Sequence, residues 1–211
     1  MIDTLGYYLT HPDAVIYEVA TALLYPVLIA EVIALLIVIF EAGRFTVEAL
    51  GRVRKRSLGT IRTSGQSARD ALADGKTEDA LGHLGTALAH GRYGRRFVSL
   101  LSADTTSRTE FLKLLNDVEL EAARRLERTR MLIRIGPMLG LMGTLIPISP
   151  ALVGLAQGDV QTLSDNLVIA FSTTVVGLLI GGVAYAVSAI RDRLYTQDVS
   201  DIEYVLDLLE V

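Results

Sequence analysis

Four residues in this sequence could do chemistry in an apolar setting. They are the hydroxyls Thr144, Thr173 and Thr174 and the carboxyl Glu31, each embedded in a run of otherwise apolar side chains. A threonine there can bond back to its own helix and serve packing alone, or it can line a polar path. A carboxyl can bridge helices through a hydrogen bond, or belong to an ion path. Kept ionised at the centre of a bilayer it costs about 2.5 to 3.5 kcal/mol on insertion scales, so a proton or a partner is expected on it. Other chemistries find no residues. The chain has no cysteine, which excludes thiol catalysis, disulfides and cysteine-ligated metal. No phosphate loop, no nucleophile with an oriented base and no set of metal ligands is present, and His83 and His90 read as surface residues. No enzyme activity, cofactor or metal is expected.

The elements that must position these groups follow from composition. With 51% hydrophobic and only 6% aromatic residues and a mean hydropathy of +0.42, the chain is too apolar for a soluble domain. A net charge of −4 gives no basic field for nucleic acid. Crossing a bilayer takes about 20 mostly apolar residues, and three runs qualify: 15–42, 135–157 and 166–190. Residues 1–14 then form an N-terminal segment, 43–134 a polar helical domain, 158–165 a connecting loop and 191–211 a C-terminal helix. No lysine or arginine precedes Arg44, so the basic start of a cleavable signal peptide is lacking and the first span is expected to stay.

Charge flanking the spans sets orientation. Arg44, Arg52, Arg54, Lys55 and Arg56 follow span one, Arg124, Arg125, Arg128, Arg130 and Arg134 precede span two, and Arg191 and Arg193 follow span three. Asp3, Asp13, Asp159 and Asp165 mark the other side. The expectation is an N-terminus outside and a cytoplasmic C-terminus, with 43–134 and 191–211 in the cytoplasm and 158–165 as an external loop. The basic clusters serve topology and contact with membrane lipids. Ser107 to Glu110 reads "SRTE", a capping-box pattern, and Phe111, Leu115, Val118, Ala122 and Leu126 follow at helical spacing. No stop intervenes before span two, so one long helix is expected. Tyr195, Val199, Ile202, Leu206 and Leu209 form a second stripe with acids around it, and breaks are expected at Gly75 and around Gly91 to Gly94.

Span two carries small residues or proline at Gly136, Gly140, Gly143, Pro147, Ala151, Gly154 and Gly158; span three answers with Asn166, Ala170, Thr173, Gly177, Gly181, Ala184 and Ser188. Small-residue stripes let helices approach closely in lipid. Pro147 and Pro150 are expected to kink or end span two, with Ser149 and Thr144 as local partners for the freed carbonyls, and Pro137 to bend its entry. At about 1.5 Å per residue, Thr144 lies about 15 Å beyond Arg134 and Thr174 about 14 Å in from Asp165. Both hydroxyls fall near mid-membrane, in a packing seam or a polar pore lining.

"GPMLGLMGT" from Gly136 and, one loop later, "TTVVGLLIG" from Thr173 resemble the paired signature of the MotA/TolQ/ExbB proton-channel family. Three spans with a large insertion after the first resemble its ExbB and TolQ branch. The resemblance implies an all-α integral membrane protein whose long helices extend into the cytoplasm, assembled as a ring-shaped homo-oligomer, a pentamer, in the cytoplasmic membrane. A dimer of a single-span ExbD/TolR-like partner would stand in the central pore and contribute a proton-binding aspartate. Thr144 and Thr174 match the family's pore-facing threonines, and Pro137 the proline that opens the motif. Two positions depart: Ile169 stands where ExbB-like proteins have a glutamate, and Pro147 where the family continues a glycine-rich turn. Glu31 is an acid the family does not require. A rival reading, a non-conducting membrane scaffold, uses the same stripes for packing alone.

Overall fold

The computed structural model describes residues 12–53, 58–101 and 108–209. Asp3, the basic residues Arg54, Lys55 and Arg56, and Ser107 of the capping-box pattern lie outside them. The described residues form helices and no strand: α1 (Pro12–Ala22), α2 (Leu24–Val53), α3 (Leu58–Ala73), α4 (Thr77–Ala87), α5 (Arg92–Leu100), α6 (Arg108–Ala156) and α7 (Val160–Leu208). Among the described residues, three stretches are long and apolar enough to cross a membrane: Val15–Arg52, Thr109–Ala156 and Val160–Leu208. The chain divides into two compact units, Met1–Ala42 with Thr129–Ala186 and Gly43–Arg128 with Val187–Val211.

In the first unit, the run expected as one uninterrupted span is broken at Leu23. The cause is Pro26, whose missing N–H leaves the Ala22 carbonyl without its helical donor. The break is minimal, since Leu23 N–H still donates to Val19 and Ala20 carbonyls and Val27 N–H donates to Leu23. Span two behaves differently from expectation at its prolines. Pro137, Pro147 and Pro150 all lie inside α6, which continues to Ala156, so neither Pro147 nor Pro150 ends it. Thr144 does not serve the Gly143 carbonyl that Pro147 frees; its hydroxyl donates to Gly140 instead.

The turn from α6 to α7 is shorter than the connection 158–165, because Val160 to Asp165 is already helix. Gly158, at φ 76, occupies the left-handed position that glycine adopts without strain. Asp159 N–H donates to Gly154 at 2.8 Å and Gly158 N–H to Leu155 at 3.1 Å, the bond pair of a Schellman ending. Asp159 then opens the next helix. Its carboxylate accepts the Thr162 amide at 3.0 Å and the Thr162 hydroxyl at 2.6 Å, which hold it below the usual carboxylate range.

The second unit is packed as the periodicity predicts. Phe111, Leu115, Val118, Ala122 and Leu126 are all buried, as are Tyr195, Ile202, Leu206 and Leu209. The chain turns at Gly75, with φ 74, as expected. The second expected break is the turn before α5, although Gly94 itself is helical.

Two expectations fail in this unit. His90 is not a surface residue: its side chain is 8% exposed and its Nε2 lies 2.8 Å from Asp201 Oδ2. The acids of the C-terminal stripe do not all surround it either. Asp198 is 2% exposed, because positions 195, 198, 202, 205 and 209 share one helical face. Asp198 Oδ2 accepts Arg52 at 2.6 Å and the Tyr93 amide at 3.0 Å, and Arg52 also donates to the Leu194 carbonyl at 2.9 Å. Gly91 is required beside it, since a Cβ there would collide with the Asp198 carboxylate. Tyr93 and Tyr195 stack edge to face at 4.7 Å.

Burial pushes the Asp198 carboxyl above its ordinary 3.8, and the opposing pull of Arg52 and the Tyr93 amide does not cancel it. A raised carboxyl favours the folded state below its unfolded value, near 4, and loses that contribution as pH rises through its folded value. The stability advantage of the wild type over Asp198→Asn is therefore expected to shrink as pH rises above about 4. Thermal unfolding of both proteins in detergent across that range measures it; an advantage that grew with pH would show the Arg52 pair outweighing burial.

Candidate functional site

The site is assembled where α6 and α7 approach backbone to backbone. A Cβ on Gly177 would stand 2.7 Å from the Gly136 carbonyl oxygen and 2.7 Å from Gly140 Cα. One on Gly140 would meet the Thr173 carbonyl oxygen at 3.0 Å, and one on Gly143 would meet Thr173 Cβ at 2.7 Å. Gly181 faces Pro137, whose Cγ would lie 2.9 Å from an added Cβ. Pro147 is buried in the same helix. The two small-residue stripes thus form one seam, and Pro137, Gly140, Gly143, Gly177 and Gly181 all lie in it. Any side chain larger than hydrogen at Gly177 or Gly140 would force the backbones apart.

The seam brings the predicted hydroxyls together. Thr144 Oγ1 donates to the Gly140 carbonyl at 2.8 Å and lies 3.3 Å from the Ala170 carbonyl oxygen. Thr174 Oγ1 is 3.1 Å from the same Ala170 oxygen, and the two hydroxyls are in direct hydrogen-bond contact. Both residues are half-buried. Two hydroxyls carry two protons and four lone pairs: Thr144 gives its proton to the Gly140 carbonyl, Thr174 has one proton to share between Thr144 and the Ala170 carbonyl, and acceptor capacity is left unused. Such a pair does not titrate, but it can order a water or a passing proton donor. Thr173 is placed differently. It is 4% exposed, bonded to Ala170 at 2.9 Å and pressed against Gly143, so it packs the seam.

Glu31 joins from the first span. Val27, Glu31, Ala34 and Val38, at 4%, 3%, 5% and 2% exposed, are the buried stripe of α2. Ala34 and Val38 pack with Leu132 of α6 and Ile180 and Ala184 of α7. The Glu31 carboxyl reaches the backbone of Gly177, while its Oε1 has no hydrogen-bond partner. Ile169, at the position of the departing acid, is half-buried and offers no polar group. Among the described residues no cluster of ligands suits a metal ion.

The sequence reading did not identify Pro26 as a break, nor Arg52, Asp198 and Asp201 as a buried polar group. Pro26 was visible as a proline inside an apolar run, and Asp198 as an acid on an apolar helical face. The contact between Thr144 and Thr174 had a signal in their matching depth.

The model of the MotA/TolQ/ExbB proton channel family matches residues 94–204, more than half of the chain, and these include the seam and both half-buried threonines. No curated protein and no solved structure matches the chain. The matched family is one of channels rather than enzymes. With three helices long and apolar enough to span, the match makes the chain a multi-pass membrane protein.

The seam makes a direct prediction. Gly177→Ala is expected to lower stability by about 1 to 3 kcal/mol, the usual cost of overpacking. Gly182→Ala, one residue from the seam glycine 181 and with nothing within 4 Å of its Cβ, is expected to be neutral or mildly stabilising. Thermal unfolding of the two variants in detergent distinguishes them, and equal behaviour would refute the seam.

Proposed function

Because the chain belongs to the MotA/TolQ/ExbB proton channel family, we propose that it is a proton-channel subunit of an ExbB/TolQ-like energy-transducing motor driven by the proton-motive force. In this reading, copies assemble as a pentameric ring in the cytoplasmic membrane around a dimer of a single-span ExbD/TolR-like partner. The N-terminus is outside, and residues 43–134 and 191–211 are cytoplasmic.

The observation that carries the reading is the half-buried pair Thr144 and Thr174, two hydroxyls with spare acceptor capacity in contact at one depth in the seam. A chain with only a packing task could use alanine or valine there. With isoleucine at 169, span three brings no carboxyl to the pore wall, and a titrating group there comes from the partner. The rival, a non-conducting scaffold, draws support from Thr173, whose hydroxyl is spent on its own helix.

Native mass spectrometry of the purified protein, alone and co-expressed with a single-span partner, is expected to give a pentamer that takes up two partner copies. Thr144→Val and Thr174→Val keep the side-chain shape and remove the hydroxyl. Each is expected to lower proton flux into liposomes by about tenfold, the effect of one hydrogen bond at a barrier, with assembly unchanged. A monomer that ignores the partner, or flux indifferent to both substitutions, would favour the scaffold.

A further inference from the structure

The most anomalous buried group in the first unit is Glu31. Its helix presents four buried positions in succession, Val27, Glu31, Ala34 and Val38, and only the second departs from the small apolar type the packing asks for. At 3% exposure it is as enclosed as its neighbours, yet Oε1 finds no partner. It also lies outside residues 94–204, so the family match does not account for it.

Among the described residues, the elements packed against it bring no cation. The helices packed against this stripe bring no Asp, Glu, Lys, Arg or His between Arg134 and Asp159 or between Asp165 and Arg191. On its own helix the neighbouring titratable groups are Tyr25 and Glu41, about 9 Å and 15 Å away along the axis, and Tyr25 is 73% exposed. The group it reaches is the backbone of Gly177, an interior helical position whose N–H is already directed at the carbonyl four residues earlier. An ionised carboxylate can only accept hydrogen bonds, and a committed N–H offers it a shared one. A protonated carboxyl can also donate, and carries no charge to solvate.

We propose that Glu31 is a proton-binding site of this chain, a carboxyl that takes up and releases H⁺ where the first span meets Gly177 of the α6–α7 seam. The exchange is a simple protonation: the carboxylate oxygen gains the proton that a hydronium or water-borne donor gives up, and no other bond changes. Axial spacing along both helices puts the site deep in the membrane, since Glu31 lies about 20 Å from Arg44 and Gly177 about 21 Å from Arg191 on the same flank. Gly177 is about one helical turn from Thr174, so the bound proton sits within about 5 Å, along the axis, of the hydroxyl pair's level. The site does not depend on a ring or on a partner.

Infrared difference spectroscopy on the full-length protein in liposomes tests it, with Glu31→Gln as a neutral reference of the same shape. The wild type minus Gln difference at pH 7 is expected to show the C=O stretch of one protonated carboxyl. That band is expected to give way to carboxylate bands as pH rises. Carboxylate bands alone at pH 7 would mean that Glu31 is ionised and paired, and would overturn the proposal. A protonated band unchanged at strongly alkaline pH would overturn it equally, leaving a fixed structural hydrogen bond. Because the spectrum needs neither gradient nor partner, a protein that titrates at Glu31 but conducts nothing would sink the channel reading alone.

Discussion

The contact on which the first unit depends is the approach of Gly177 to Gly136 and Gly140 with no side chain between them. In water a glycine inside a helix costs about 1 kcal/mol relative to alanine. In lipid, apolar surface gains nothing from leaving the solvent, and association rests on dispersion between closely packed atoms and on hydrogen bonds. The glycines remove the spacer that would weaken both. Once the backbones are this close, a hydroxyl on one helix can reach a carbonyl of the other, which is how Thr144 comes within 3.3 Å of the Ala170 oxygen. The same closeness helps explain why α6 continues through Pro147 and Pro150, since packing along the seam holds a helix that has lost backbone bonds.

The second unit follows a different energetic logic with the same secondary structure. Its helices bury phenylalanine, tyrosine and leucine against each other, each worth about 1.5 to 3 kcal/mol on leaving water. Its two buried acids are each tied to a partner. Asp198 takes Arg52 and the Tyr93 amide, and Asp201 takes His90. Breaking the Arg52–Asp198 pair by removing Asp198 costs about 3 to 5 kcal/mol, because the guanidinium stays buried without it. Two acids one turn apart on α7 thereby pin the turn before α5, and Gly91 supplies the clearance.

What could be read from the chain divides along the same line. The spans, the long helices and both seam stripes follow from period and residue size, and each position from Gly136 to Gly154 in the span-two stripe is buried as expected. Depth arithmetic also placed Thr144 and Thr174 at one level, because rise per residue is the same in both helices. Tertiary pairings of polar groups were not legible. Nothing local to His90 announces Asp201, which lies 111 positions away, and an isolated histidine in a polar stretch looks like surface. The turn at Gly158 was read too long because Val160 to Asp165 is polar enough to resemble a loop, whereas Asp159 caps a helix there.

Gly177 has two neighbours that ask different things of it. Toward α6 it must be glycine, since a Cβ would strike Gly140 Cα and the Gly136 carbonyl. Toward α2 it offers only its backbone, and the group that meets that backbone is the carboxyl of Glu31. Valine, alanine or leucine at position 31 would complete the stripe of α2 at no electrostatic cost, as Val27 and Ala34 do on either side. A carboxyl there is the less favourable choice for packing by about the desolvation of one polar group, roughly 1 to 3 kcal/mol on mutational scales. At the meeting point of all three spans the carboxyl differs from leucine in two ways, by hydrogen bonding and by its ability to hold or release a proton, and the proposed site uses the second. The tightest backbone approach in the first unit and its buried carboxyl therefore meet at Gly177, and a change in charge at Glu31 would act directly on the helix that carries Thr174.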